Sequence, residues 1–187
     1  PGAAILDCSD VLTLGSSTTP KTFNFTGGLT IDNNATRVDL GGNIISSADV
    51  DIEDPLKLIS NSSIVATGQA VTLWQPVTDT TSESLGIGSS GNNVLGVDFQ
   101  STVDIGGTLS VYTDAADTGF VNALTTGGIV TNKILSSTSD VTVNGNISSY
   151  GINFITLAGS TNWTITGNCN CNNIDASFLT AATVSTS

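Results

Sequence analysis

Residues 139–168, SDVTVNGNISSYGINFITLAGSTNWTITGN, decide the fold. Short alternating units such as Val141-Thr142-Val143 and Trp163-Thr164-Ile165 each run into a turn signal, Asn144-Gly145 or Gly167-Asn168. Side chains two apart share one face of a strand, so the apolar members line one side while Thr and Asn line the other. The spacers are too short for a crossover helix. A strand that turns, continues and turns again within some twenty residues predicts a coil of a β-solenoid.

The same texture extends outward in both directions. Val38-Asp39-Leu40-Gly41-Gly42-Asn43-Ile44 is echoed by Val103-Asp104-Ile105-Gly106-Gly107-Thr108-Leu109. Their separation is close to three repeats of about twenty-two residues, inside the range of known solenoid coils. Phe23-Asn24-Phe25, Leu29-Thr30-Ile31, Val71-Thr72-Leu73-Trp74 and 94–99 read as further strands. Residues 78–90 read as a loop. At about twenty residues per turn the chain winds roughly nine times, and at about 4.8 Å per rung the body is roughly 40–45 Å long.

Composition supports this reading. Ser, Thr, Asn and Gly make up 88 of 187 residues, while the chain holds two Glu, three Lys, one Arg and no Met. Good helix formers are nearly missing, whereas Val, Ile and Thr suit strands. We expect a single all-β domain: residues 1–22 as an N-terminal cap or exchanged segment, 23–168 as the solenoid body, 169–187 as a C-terminal cap. Asn173 is positioned to start a short helix there, with Ile174 and Phe178 on one face. The competing architecture is a β-sandwich, including a pilin-like form completed by a strand donated from residues 3–6.

Charge excludes several functions. Sixteen carboxylates against Lys21, Arg37, Lys57 and Lys133 give a net charge of −12. Such a surface has no footprint for a phosphate backbone, so nucleic acid is not an expected partner. No apolar run approaches the length that a membrane-spanning helix needs, so no membrane insertion is expected. The chain begins at Pro1 with no basic-then-apolar leader, which fits a processed or trimmed N-terminus. With no His, a Ser-His-Asp or Cys-His arrangement is impossible within one chain. The four cations form no evident cluster, and the expectation is that the protein is not an enzyme.

Four kinds of candidate site remain. Cys8, Cys169 and Cys171 are an odd set, and Cys8 is far from the other two in any solenoid of this length. That spacing leads us to expect intermolecular disulfides from Cys8 to Cys169 or Cys171 of the next copy, with an intrachain bridge as the alternative. Asp49, Asp51, Glu53 and Asp54 form an oxygen-rich run of the kind that suits calcium, against the plainer reading of a solvated acidic face. Asn24, Asn34, Asn61, Asn146 and Asn162 head Asn-x-Ser/Thr triplets, a number that chance produces from 17 Asn among 51 Ser and Thr. Trp74, Trp163, Tyr112 and Tyr150 could line a sugar-binding strip, although single aromatics on strands are more often core or lip residues.

The Gly-Gly-Asn-Ile, Val-Asn-Gly-Asn-Ile and Leu-Ala-Gly-Ser-Thr-Asn-Trp-Thr-Ile-Thr-Gly runs resemble secreted β-solenoids of the filamentous-haemagglutinin and autotransporter-passenger kind, over residues 23–168. The resemblance implies an extracellular, non-enzymatic role at the cell surface. The expected function is thus a self-assembling structural subunit of a fibre, sheath or tube, whose main partner is itself. The alternative is an adhesive module that binds surface glycans.

Overall fold

The structure is a computed structural model. It describes the backbone of residues 2–114, 117–120, 124–131, 134–137, 141–149, 155–158, 162–175 and 178–185, and the side chains of 2–114, 124–131, 141–147 and 162–169. The chain is all-β, and no helix occurs among the described residues. The first coil is β1 (Ala4–Leu6), β2 (Val11–Gly15) and β3 (Lys21–Phe25). β4 (Leu29–Ile31) and the long β5 (Arg37–Ser46) make the second, and β6 (Val50–Ile52), β7 (Leu56–Leu58) and β8 (Ser62–Ala66) the third. The fourth is β9 (Ala70–Leu73), β10 (Val77–Asp79) and β11 (Leu85–Ile87). Then come β12 (Gly96–Phe99) with β13 (Val103–Val111), and β14 (Asp117–Phe120) with β15 (Leu124–Thr131). β16 (Ile134–Ser137), β17 (Val141–Val143), β18 (Ile147–Ser149), β19 (Ile155–Ala158), β20 (Asn162–Asp175) and β21 (Phe178–Ser185) complete the order.

Every pairing between these strands is parallel and joins one coil to the next. Three faces result. On the first, β1, β4, β6, β9, β12, β14, β16, β19 and the end of β20 stack in that order. The second holds β2, the start of β5, β7, β10 and the start of β13. The third holds β3, the end of β5, β8, β11 and the end of β13. Parallel rungs joined in this way define a β-solenoid, and the facing antiparallel layers of a sandwich are not present among the described strands. A donated-strand sandwich falls with them, because β1 pairs in parallel with β4 of its own chain.

Three-residue strands suffice because both outer residues point inward. Leu29-Thr30-Ile31, Val50-Asp51-Ile52 and Leu56-Lys57-Leu58 each bury their first and third side chains and leave the middle one half-buried. Register then builds columns: Leu29, Val50 and Val71 stack, as do Ile31, Ile52 and Leu73. No single coil encloses its apolar face, so stability comes from stacking. The sequence echo is explained by the same register. Val38 reaches Val103 in three rungs, through Leu56 and Val77, and the three steps differ in length along the chain. The strands are nearly constant and the corners absorb the variation.

Within residues 1–22, β1 and β2 are rungs in register with β4 and β5. Two expectations are corrected. Residues 78–90 are not one loop, because β10 and β11 leave only residues 80–84 between them. The short helix after Asn173 is absent, since β20 runs on to Asp175 and β21 starts at Phe178, paired with Asn162. The same alternation of small polar and apolar residues that makes the other rungs favours a strand there.

Candidate binding site at an open corner

The corner between the second and third faces is tight at its glycines, and beside Thr108, Gly127, Gly128, Gly145 and Asn146 it also opens into a cavity of about 270 Å³. β5 bends through it at Gly41-Gly42, β13 at Gly106-Gly107 and β15 at Gly127-Gly128. A Cβ on Gly41 would sit 2.6 Å from the Ser16 carbonyl oxygen, and one on Gly127 would overlap the carbonyl of Gly106. Backbones approach closer here than any side chain permits. Buried hydroxyls complete the hydrogen bonding. Ser62 Oγ accepts from the Gly42 N–H (3.2 Å) and lies within donor reach of the Leu40 (3.1 Å) and Ser60 (2.9 Å) carbonyls. Thr126 Oγ1 lies 2.8 Å from the Gly107 oxygen and 3.0 Å from that of Gly128. Asn61 and Asn146 each accept, at 2.9 Å, a backbone N–H of the next coil, from Ser84 and Asn168.

The corner between the first and second faces differs in its side chains, which are largely acidic and amide. It is built from residues 7–10, 32–36, 53–55 and 74–76 of successive coils. Acidic and amide side chains collect there: Asp7, Asp10, Asp32, Asn33, Asn34, Glu53, Asp54 and Gln75. Asp54 follows the parity of Ile52 and is turned inward, 1% exposed. Its Oδ2 accepts from the Ala35 N–H at 3.2 Å, while its Oδ1 has no hydrogen-bond partner among the described residues. Burial pushes its pKa above the ordinary range against the pull of the Ala35 bond, and Asp32 and Asp7 add repulsion. Asp7 itself accepts from Asn34 Nδ2 at 3.0 Å.

Beside Asp54 the corner opens into a cavity of about 310 Å³ lined by Asn33, Glu53, Trp74 and Gln75. These four come from three consecutive coils. Trp74 is 48% exposed although its backbone is fixed, its N–H donating to the Ile52 carbonyl at 3.0 Å. Among the described residues, none of the four side chains is hydrogen-bonded to another protein group.

The sequence candidates separate accordingly. Trp163 is fully buried core, Tyr112 is half-buried, and Tyr150 lies outside the described residues. Trp74 is the one of these aromatics, among the described residues, with an exposed ring. Asp49, Asp51, Glu53 and Asp54 are not gathered: Asp49 caps the Ala70 N–H at 2.8 Å, Asp51 is mid-strand and Asp54 is buried. Among the described residues no group of three acidic, Cys or His side chains is placed to hold a metal. Asn24, Asn34, Asn61, Asn146 and Asn162 are all exposed. Cys169 is buried and disulfide-bonded; Cys171 has a side chain outside the described residues. Cys8 is a free, half-buried thiol on the first coil, its Sγ 3.7 Å from the Asp10 carbonyl oxygen.

The class the geometry defines is a parallel β-solenoid with three faces and, among the described residues, an acid-lined corner that opens into a cavity. Compared with protein-family models, with curated proteins and with solved structures, the chain matches none of them.

Proposed function

We propose that this chain is an extracellular, non-enzymatic structural unit that stacks end to end with copies of itself into a fibre, sheath or tube. The supporting observation is the outer edge of the first coil. β1, β2 and β3 each pair on one side only among the described residues, with β4 or β5. Leu6, Leu12, Phe23 and Phe25 are half-buried there, packed against the core from one side. Unpaired strand edges over an incomplete apolar layer invite another rung, and a further three-faced coil of the same outline fits all three edges at once. The disulfide at Cys169 suits an oxidising compartment. A covalent link from Cys8 to the next copy's Cys169 first requires the existing Cys169 bond to exchange.

Copies carrying −12 repel one another, so association strengthens with salt. Sedimentation and negative-stain microscopy of the 187-residue chain test the reading. Filaments that grow with concentration and salt are expected. Leu12→Glu, which places a charge on the inward side of the open rung, is expected to abolish them while leaving the strand spectrum intact. A monodisperse monomer at every concentration and salt, or filaments indifferent to Leu12→Glu, overturns it.

A further inference from the structure

We infer that the cavity at Asn33, Glu53, Trp74 and Gln75 is a binding site for a neutral pyranose sugar, a role that goes beyond the structural one. Four observations converge. The first is an exposed aromatic plate on a fixed backbone. Trp74 sits just past the end of β9, its N–H held by Ile52, and Pro76 follows with its carbonyl bonded to the Leu56 N–H at 2.9 Å. The indole is therefore attached to a hydrogen-bonded backbone, while the residue stays 48% exposed. A large apolar ring left in water next to a formed cavity is the feature a ligand would cover.

The second is the kind of polar group around it. Asn33 and Gln75 each carry an acceptor oxygen and a two-proton donor, and Glu53 carries two acceptor oxygens. A pyranose has an apolar C–H face for the indole and, around its rim, adjacent hydroxyls that each donate and accept. Two amides and a carboxylate are the complement of that rim. The third is that these groups are unengaged. At the neighbouring corner the amides of Asn61 and Asn146 are used on backbone N–H groups, whereas Asn33, Glu53 and Gln75 make no side-chain hydrogen bond among the described residues. Their bonding capacity is available to a ligand without breaking anything in the protein.

The fourth is size and charge. The lining residues span three consecutive coils, or two rung spacings, about 10 Å. With about 310 Å³, the cavity admits a sugar ring. Glu53 lies within it and Asp32 and Asp54 adjoin its lining residues in sequence, on a chain of net charge −12. Uronic and sialic acids are therefore repelled and neutral rings are preferred.

Trp74 also supplies the signal for the test, because Trp163 is fully buried and Trp74 is not. Intrinsic fluorescence and acrylamide quenching are recorded while cellotetraose, maltotetraose, a β-1,4-linked N-acetylglucosamine trimer and a trigalacturonate are titrated separately. Saturable protection of the exposed indole by at least one neutral oligosaccharide, with none by the galacturonate, is expected. Trp74→Ala should abolish heat of binding by calorimetry, and Trp74→Phe should retain part of it. Glu53→Gln should weaken the neutral sugar several-fold and let the galacturonate bind. No saturable change with any neutral sugar in the folded protein overturns the inference, as does binding that Trp74→Ala leaves unaltered. Protection that depends only on protein concentration also overturns it, because Trp74 would then be a contact between copies. Failure here leaves the filament experiment untouched, since Leu12 and the cavity lie on different coils.

Discussion

Two of the corners of this solenoid handle the same problem in different ways. Each must turn a parallel strand through a bend and satisfy the backbone groups that leave the ladder. At the second-to-third-face corner, glycines let successive coils approach to contact, and Ser62, Thr126, Asn61 and Asn146 bond what the bend leaves open. At the first-to-second-face corner a cavity opens, a buried carboxylate lacks a partner on one oxygen, and an indole faces solvent. The lesson is that bends held by backbone contact and buried hydroxyls serve stability, while side chains left unbonded beside a cavity are available for recognition.

That contrast breaks if substitutions at the tight corner prove harmless. Gly41→Ala places a Cβ 2.6–2.8 Å from Ser16 backbone atoms, so the expected loss in urea unfolding is large, about 3 kcal/mol. Trp74→Ala at the open corner should by comparison shift stability by no more than about 0.5 kcal/mol. Next in size, Ser62→Ala strands the Gly42 N–H and two carbonyls in a buried position and should cost about 1–3 kcal/mol by the same measurement.

Two carboxylates sharpen the contrast through pH. Asp54 has a raised pKa in the folded state, so its contribution is fully present below the ordinary Asp range and is lost as pH rises through the folded value. Asp54→Asn should remove that loss and raise stability near neutrality by about 1 kcal/mol, seen as a flatter plot of melting temperature from mildly acid to neutral pH. Glu83 behaves in the opposite sense. Partial burial pushes it up, but donors from Thr81 and Thr80 outweigh this and hold it down to about 2. Its contribution is present above the ordinary Glu range and lost as pH falls through about 2. Glu83→Gln should therefore lower the melting temperature slightly above the ordinary Glu range and flatten its fall on the acid side, the smallest of these effects.

The sequence carried the coil but not the corner that matters. Alternation in Val141-Thr142-Val143 and the repeat at Val38 and Val103 were sufficient for the solenoid, because both report the register of inward-facing side chains. The Val38-to-Val103 echo divides into unequal steps because corners, not strands, differ in length between coils. Residues 80–84 and the short β11 were hidden for the same reason: Leu85-Gly86-Ile87 is too brief to stand out beside a Ser/Thr-rich run. The parity of Asp54 with Ile52 was a readable sign of an inward carboxylate. The cavity was not readable. Asn33, Glu53 and Trp74 are each a full coil apart along the chain, and only the stacking brings them together.

The account rests on the rung register, and engineered cross-linking tests it most directly. Asp39 and Lys57 face each other across the second face, and Thr78 lies one rung further. In a Cys8→Ser background, Asp39→Cys with Lys57→Cys places two Cα atoms about 4.8 Å apart, within disulfide reach, whereas Asp39→Cys with Thr78→Cys places them about 10 Å apart. Quantitative oxidation of the first pair and none of the second is the predicted result. Cross-linking of the second pair, or of neither, would contradict the stacked-coil arrangement.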